Sequence, residues 1–482
     1  MANSRPHVPL EGFNIAGLAD SRWSGIVSSY YKLFGLDLHS EPGLVKVAQK
    51  MTKNSGVTVT EFCKVGIVSS NGSTYWGSST SGKVWERTSG GTWRLVHTVT
   101  PAAGEAKILG MAEYQGYIYV ATESRLHRIT VAKADDNDWA SDLTEDWATF
   151  TTTDALFHPM HVNTKTQILY IGDGNLLAQV DANTFTADAL DIATPLRIKS
   201  LGQIGTDELI GTWVSDYITK TALIRWNTWS VSFFTPDEIP ETGINAFLPM
   251  DNMVLVQAGL AGNIYSYNGQ ILELYKKIPG TYSGTKYGEV YPYSVANLHG
   301  KTLFGFSNGA GNPADQGVYQ LARYDRNRSL IMDLPYPISE RSGSAFVTEG
   351  LEIGAIVVSG FNVFVAWKNG SSYGVDMLDY SNKLDGAYIE TKIMSFDRDN
   401  FSTADKLAIP YYEMPASCSI ALSYDKNYAG YADFTVVKDT QRNIVTAEDG
   451  VEASVLSVKI TFTTDSNNAP SIEGKGGVLY LR

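Results

Sequence analysis

One pattern recurs seven times between residues 62 and 380 and leaves few folds open. It is an apolar-aromatic strand, a turn of Gly, Ser and Asn, and a second apolar strand ending near Asp, Asn or Thr. The copies begin at Ser73, Gly116, Gln167, Glu208, Asn252, Lys301 and Asn362, about 40 to 60 residues apart. A further apolar strand precedes most copies, as at 64–70, 108–114, 198–204, 245–249 and 353–358. A fourth strand often follows, marked by Trp93, Trp147, Phe185, Trp229 or Leu272. Four short strands at this period are the signature of propeller blades. Each such sheet is apolar on both faces, and stacking the sheets around an axis covers every face with a neighbour. Helical spacing at i, i+3, i+4 is scarce, while β-branched and aromatic alternation is general. The chain is therefore expected to be all-β, with a seven-bladed propeller.

The first copy contains SSTSGKVWERT, residues 78–88. This stretch resembles the eight-residue turn of sialidase-type propellers, S-x-D-x-G-x-x-W. Ser78, Gly82 and Trp85 match, and Thr80 stands where that turn has Asp. Gly82 is expected to supply a positive φ or a close backbone approach. Trp85 is expected to point between blades, as are its equivalents His127, Leu177, Ile224, Tyr265, Tyr319 and Met377. The turn is a folding device, so the absent Asp says little about catalysis.

A ring needs its last sheet closed. Residues 43–51, GLVKVAQKM, are the favoured outer strand of the last blade, and GAYIETKIMS from Gly386 is the rival. Three segments follow: an N-terminal arm at 1–42, the propeller at 43–385, and a C-terminal unit at 386–482. The last contains six apolar stretches separated by polar turns, the pattern of a small antiparallel β-sandwich. Its loop DKNYAGYADF places Tyr424, Tyr428 and Tyr431 close together, either as rim packing or as a contact surface for a partner.

The net charge is −13, without a run of Lys and Arg, which speaks against a nucleic-acid reader. Two distant cysteines, Cys63 and Cys418, make neither a disulfide framework nor a zinc site. The N-terminus has no secretory pattern, and the most apolar run, 353–367, is too short to span a bilayer. The chain is thus expected to be made in a cytoplasm and not to insert in a membrane.

Catalytic and metal motifs are weak. Gly305-Phe306-Ser307-Asn308-Gly309 has the spacing of a nucleophile elbow, but a helix-breaking loop follows where the elbow needs a helix. His158 and His161 lie three apart, beside Pro159 and without acidic neighbours. Asp135, Asp136 and Asp138 lack the EF-hand spacing, which leaves calcium binding at Asp135–Asp138 undecided. No catalytic residue, cofactor or metal is assigned.

The run GLDLHSEPGLVKVAQKMTKNSG, the blade hairpins and the end TFTTDSNNAPSIEGKGGVLYLR together resemble virion structural proteins of tailed bacteriophages, in which a propeller is joined to a small β-domain. The resemblance implies a non-enzymatic tail component (nozzle, hub or fibre-attachment) in several copies, contacting other virion proteins and located in the virion. It also implies that an acidic lumen would let passing DNA slide without sequence recognition. A propeller glycosidase or lyase, or a carbohydrate- or receptor-binding protein acting at the host surface, are the alternatives.

Overall fold

The computed structural model describes residues 7–11, 19, 29–41, 43–100, 106–136, 138–152, 156–215, 220–250, 253–280, 282, 288–308, 317–323, 330–339, 351–396 and 402–481. Among them are 44 strands and one four-residue helix, Val131–Ala134. Six sheets contain four strands each. Blade 1 runs from Cys63–Val68 to Trp93–Thr98, blade 2 from Gly110–Tyr114 to Thr144–Thr149, and blade 3 from Met160–Asn163 to Thr184–Asp191. Blade 4 runs from Arg197–Ile204 to Asp237–Ile239 and blade 5 from Ile244–Met250 to Leu272–Lys277. Blade 6 is Leu351–Ser359, Asn362–Asn369 and Ser372–Lys383, completed by Gln49–Lys53 from the N-terminal side.

The first strand of each blade lies innermost and packs on the first strand of the next. Burial follows the radius. Every residue of the second strand of blade 1, Thr74–Ser78, is buried, because sheets cover both of its faces. The outer strands Thr144–Thr149 and Leu272–Lys277 are largely exposed. Apolar clusters sit between neighbours: Tyr75 and Val84 of blade 1 with Ile118 and Ile129 of blade 2, and Tyr170 and Leu177 of blade 3 with Ile210 and Ile224 of blade 4. Trp76 and Trp85 fill the seam with Val357 and Phe364 of blade 6. Each such large side chain contributes roughly 1.5–3 kcal/mol or more of gross transfer energy, so the seams hold the ring together.

The seven-bladed expectation is corrected to six blades. The hairpin expected from Lys301 for the remaining one is Lys301–Asn308 and Gly317–Arg323, and with Val295–Leu298 and Leu330–Tyr336 beside it belongs to an eleven-stranded sheet. They fill the sector between blades 5 and 6. Leu330–Tyr336 does not end in solvent as an outer edge. It pairs in parallel with Lys32–Phe34, which pairs antiparallel with Ala387–Glu390, and the sheet continues through Val455–Thr463 and Ser419–Lys426. An uncovered edge offers unpaired N–H and C=O groups, and here the middle of the edge is met by residues 34 and 35: Phe34 pairs with Leu334 and the Gly35 N–H bonds the Leu334 carbonyl.

The ends are interleaved elsewhere too. A nine-stranded sheet contains His7–Glu11, Leu36–Asp37 and Leu44–Val47 beside Ser402–Glu413, Ser471–Glu473 and Gly476–Leu481. Its inward residues, among them Val45, Ile409 and Leu479, share one apolar cluster with Leu33, Tyr388, Leu422 and Ile460 of the eleven-stranded sheet. Residues 43–51 are therefore two strands with two destinations: Leu44–Val47 in the nine-stranded sheet and Gln49–Lys53 in blade 6. Trp229 is also relocated. It lies in the loop before Asp237–Ile239 and is 75% exposed, not seated in a fourth strand.

Candidate functional site

The sialidase-like turn shows why Thr80 is tolerated. Ser78 Oγ accepts the backbone N–H groups of Thr80 and Ser81, each at 3.0 Å, which closes the turn. A carboxylate is present after all, brought from upstream by Glu61. Its Oε2 accepts the hydroxyls of Ser78 at 2.5 Å, Ser81 at 2.6 Å and Thr80 at 3.0 Å, and its Oε1 pairs with Lys83. Partial burial opposes ionisation, but the bonds from Lys83 and the three hydroxyls outweigh it and hold the carboxyl down at about 2. Gly82 is needed for close approach: a Cβ there would stand 2.1 Å from the Val99 carbonyl oxygen. Trp85 and its neighbours are packed, and the Trp85-equivalent His127 is fully buried, between Thr122 Oγ1 at 3.2 Å and the Asp146 N–H at 3.0 Å. Burial pushes the His127 imidazole down to about 4, against the pull of Asp146.

The other sequence candidates are dispersed. Ser307 Oγ accepts the Ile353 N–H at 2.8 Å and donates to the Ile353 carbonyl at 3.1 Å, so it is a tie between strands; Gly309 lies outside the described residues. His158 is buried with its ring nitrogens facing the carbonyls of Gly172 and Glu123. His161 instead meets buried Glu208 at 2.8 Å, which also accepts from Asn163. Burial pushes the Glu208 carboxyl up, with His161 and Asn163 pulling the other way. Asp135 faces Arg94 at 3.7 Å, Asp136 faces Lys133 at 3.5 Å, and Asp138 accepts the Ala140 N–H. Among the described residues no group of three or more His, Cys, Asp or Glu is placed to hold a metal ion. Cys63 and Cys418 are buried and not joined to each other.

The three tyrosines separate. Tyr424 is half-buried against Phe434, with ring centroids 4.6 Å apart. Tyr428, at φ +62°, and Tyr431 remain 52% and 41% exposed. Tyr431 is anchored by its hydroxyl, 3.1 Å from Ser457 Oγ.

What the ring brings together is a cleft of about 450 Å³ at the axis, on the face where the inner strands begin. Blades 1, 2, 3, 4 and 6 and the segment 291–293 all contribute to it. Four lysines line it: Lys64, Lys107, Lys199 and Lys368. Glu352 is the carboxylate among the described lining residues. Lys368 Nζ lies 2.6 Å from Glu352 Oε1, and the Tyr291 hydroxyl donates to Oε2 at 2.8 Å. Lys64 stands 3.7 Å from the same Oε2 and 4.1 Å from the centre of the Tyr291 ring. Partial burial lowers the Lys64 ammonium below the ordinary lysine range; Glu352 and Glu289 oppose this, and Lys199 and Lys368 reinforce it. Glu352 is held below its ordinary value, since the bonds from Lys368 and Tyr291 and the charge of Lys64 overcome its own burial. Lys199 reaches Asn245 at 2.7 Å and Glu289 at 3.0 Å. Tyr293 crosses the ring to blade 2, with blades 6 and 1 between, and bonds both backbone groups of Met111.

Sequence reasoning missed these residues because they stand one or two to a blade, tens of residues apart, and read as scattered solvated charges. The available signal was positional. Lys64 and Lys199 are the second and third residues of their inner strands and Lys107 lies just before its own, where the repeat is otherwise apolar.

The fold and the cleft define a β-propeller protein with an axial pocket lined by lysines and by aromatic and aliphatic side chains. No family profile and no curated protein matches the sequence. Among solved structures, virginiamycin B lyase from Staphylococcus aureus superposes with a TM-score of 0.46 at 12% identity, over 68% of this chain and 99% of that one. The extracellular domain of a putative hybrid two-component system from B. thetaiotaomicron gives 0.46 at 14% identity, over 84% and 47%. The likeness is one of fold. Among the described residues no helix is long and apolar enough to cross a membrane.

Proposed function

We propose that the chain is a non-enzymatic structural component of a tailed-phage particle, placed in the tail as nozzle, hub or fibre-attachment protein and assembled in several copies with other virion proteins. The sequence resemblance motivates this reading. The observation that carries it is the interleaving of both chain ends with the propeller through the eleven-stranded sheet. A domain that opens and closes around a substrate needs a joint where few bonds cross. Here sheet pairing runs from Leu330–Tyr336 of the ring, through the bridge of Phe34 with Leu334, into the longer ladders of the C-terminal strands, which suits a part that must stay rigid under load. Blocking the edge of the ring sector also favours controlled assembly over edge-to-edge aggregation. DNA passing such a part would use a lumen between copies, since Tyr293 crosses the propeller's own axis. The net charge of −13 would let the duplex slide there. Cryo-electron microscopy of purified particles produced with this chain tests the reading. A symmetric ring of copies in the tail is expected. Particles complete without the chain, or a ring with a basic lumen, would reject the role or its DNA-guiding part respectively.

A second reading, a propeller that binds a carbohydrate or a host receptor, is favoured by the axial cleft with its aromatic walls and lysines. The glycosidase version of that reading is weaker, because the two-carboxylate mechanism needs a pair and the described lining offers Glu352, already engaged by Lys368 and Tyr291.

A further inference from the structure

We infer that the axial cleft takes a small anionic sugar, a uronic acid or a short oligosaccharide carrying one; this rests on the carbohydrate-binding reading and not on the particle role. Three features of the cleft choose the ligand class. The first is charge. Four lysines line the cleft against Glu352 in the lining and Glu289 and Glu123 just behind it, which leaves a net positive site in a protein whose net charge is −13. The surrounding field repels anions, so a cationic pocket in it is a local construction with an anion as its natural occupant.

The second is unspent hydrogen-bonding capacity. An ammonium has three donors. Lys64 and Lys107 keep their carboxylate neighbours, Glu352 and Glu123, at 3.7 Å, beyond good N–H···O range. Donors on both therefore remain for a ligand. Lys64 is the poorer in solvent, and a carboxylate beside it would favour the charged form against the burial that opposes it.

The third is shape. Leu156, Phe157 and Tyr373 give the cleft apolar walls beside the buried rings of Phe62 and Tyr291, and about 450 Å³ falls within the usual range for small-molecule sites. A bare sulfate or phosphate would leave these walls unused. A neutral sugar would use the walls and bring no charge to the remaining donors of Lys64 and Lys107. A sugar acid uses both. Glu352 then sets the orientation: it stays ionised, so the ligand's carboxylate lies toward Lys64 and Lys107 while a ring hydroxyl donates to Glu352.

Isothermal titration of the full chain with D-glucuronate, D-glucose and sodium sulfate tests this. Saturable glucuronate binding is expected, at least tenfold tighter than glucose or sulfate. Lys64→Gln and Lys107→Gln should each weaken it by roughly tenfold, the loss of about one charge-assisted bond. Lys107 is 45% exposed at its side chain, so that variant should fold even if Lys64→Gln is impaired. Equal binding of glucose would overturn the anionic selection and leave the carbohydrate reading standing. Absence of binding by either sugar would reject both. Sulfate binding as tight as glucuronate, or variants that bind like the parent, would also overturn the assignment.

Discussion

The Tyr293 hydroxyl accepts the backbone N–H of Met111 at 3.0 Å and donates to the carbonyl of the same residue at 3.2 Å, across 182 positions of sequence. One side chain from the connection between two strands of the shared sheet, Gly288–Glu289 and Val295–Leu298, thus completes the inner strand of blade 2 on the far side of the ring. The segment is held in turn by blade 6: the Ile356 N–H bonds the Tyr293 carbonyl, and Ser294 Oγ donates to Ile353 at 2.9 Å. Three parts of the circle are tied at one point under the cleft.

Tyr293→Phe keeps the ring and removes the hydroxyl, leaving two Met111 backbone groups without their partner. A loss of about 1–3 kcal/mol is expected in chemical denaturation, the cost of unsatisfied buried polar groups. A variant as stable as the parent would mean that water replaces the hydroxyl and that the axis is wetter than its packing implies.

Glu61 gives the stability an acid limb. Its folded value of about 2 is below the ordinary 4.5, so its stabilisation is complete above about 4.5 and is lost as pH falls toward 2. Glu61→Gln should lower stability at neutral pH and flatten that limb. Denaturation midpoints at pH 7, 4.5 and 3 check it. The parent and variant should converge at the acid end.

Thr80 makes the same point from the other side. Its hydroxyl is 3.0 Å from Glu61 Oε2, so Thr80→Asp, which restores the residue of sialidase-type turns, sets two carboxylates together. The substitution should destabilise the protein by roughly 1 kcal/mol or more at pH 7, as like charges at contact do. The double variant Thr80→Asp, Glu61→Gln should recover most of the loss. Additive losses in the thermal midpoints would show that the two sites do not share one carboxylate place.

These residues also mark what could be read from the chain alone. The blade strands were legible because Tyr75, Trp76, Val84 and Trp85 alternate with a period that only covered sheets satisfy, and Trp85 lies in the seam where the repeat puts it. The shared sheet was not. Its key link is the three-residue strand Lys32–Phe34, whose parallel pairing of Phe34 with Leu334 has no local sign in either segment. Ring count suffered for that reason, since a sector whose edge is shared reads like any other blade. The cleft was hidden differently. Lys64, Lys199 and Glu352 are adjacent only after the ring closes, and Glu61 replaces a turn residue from 17 positions upstream of Ser78.

The N-terminal strands cover edges, and this yields the last test. His7–Glu11 pairs with Gly476–Leu481, and Lys32–Phe34 lies between the ring sector and Ala387–Glu390. Removing residues 1–34 would take away Phe34, the partner of Leu334 in the buried strand Leu330–Tyr336, while leaving Gln49–Lys53 to close blade 6. A long apolar edge without its partner is a template for pairing with another chain. The truncated protein should therefore keep its far-UV β-signature and its blade 6 closure but form large aggregates on size-exclusion chromatography. Deleting only residues 1–11, which bares Gly476–Leu481, should give a milder shift in association. If the longer truncation runs as the parent does, the strand Lys32–Phe34 is an ornament on an edge already protected by other means. The argument for a rigid, sheet-continuous tail component would then lose its central joint.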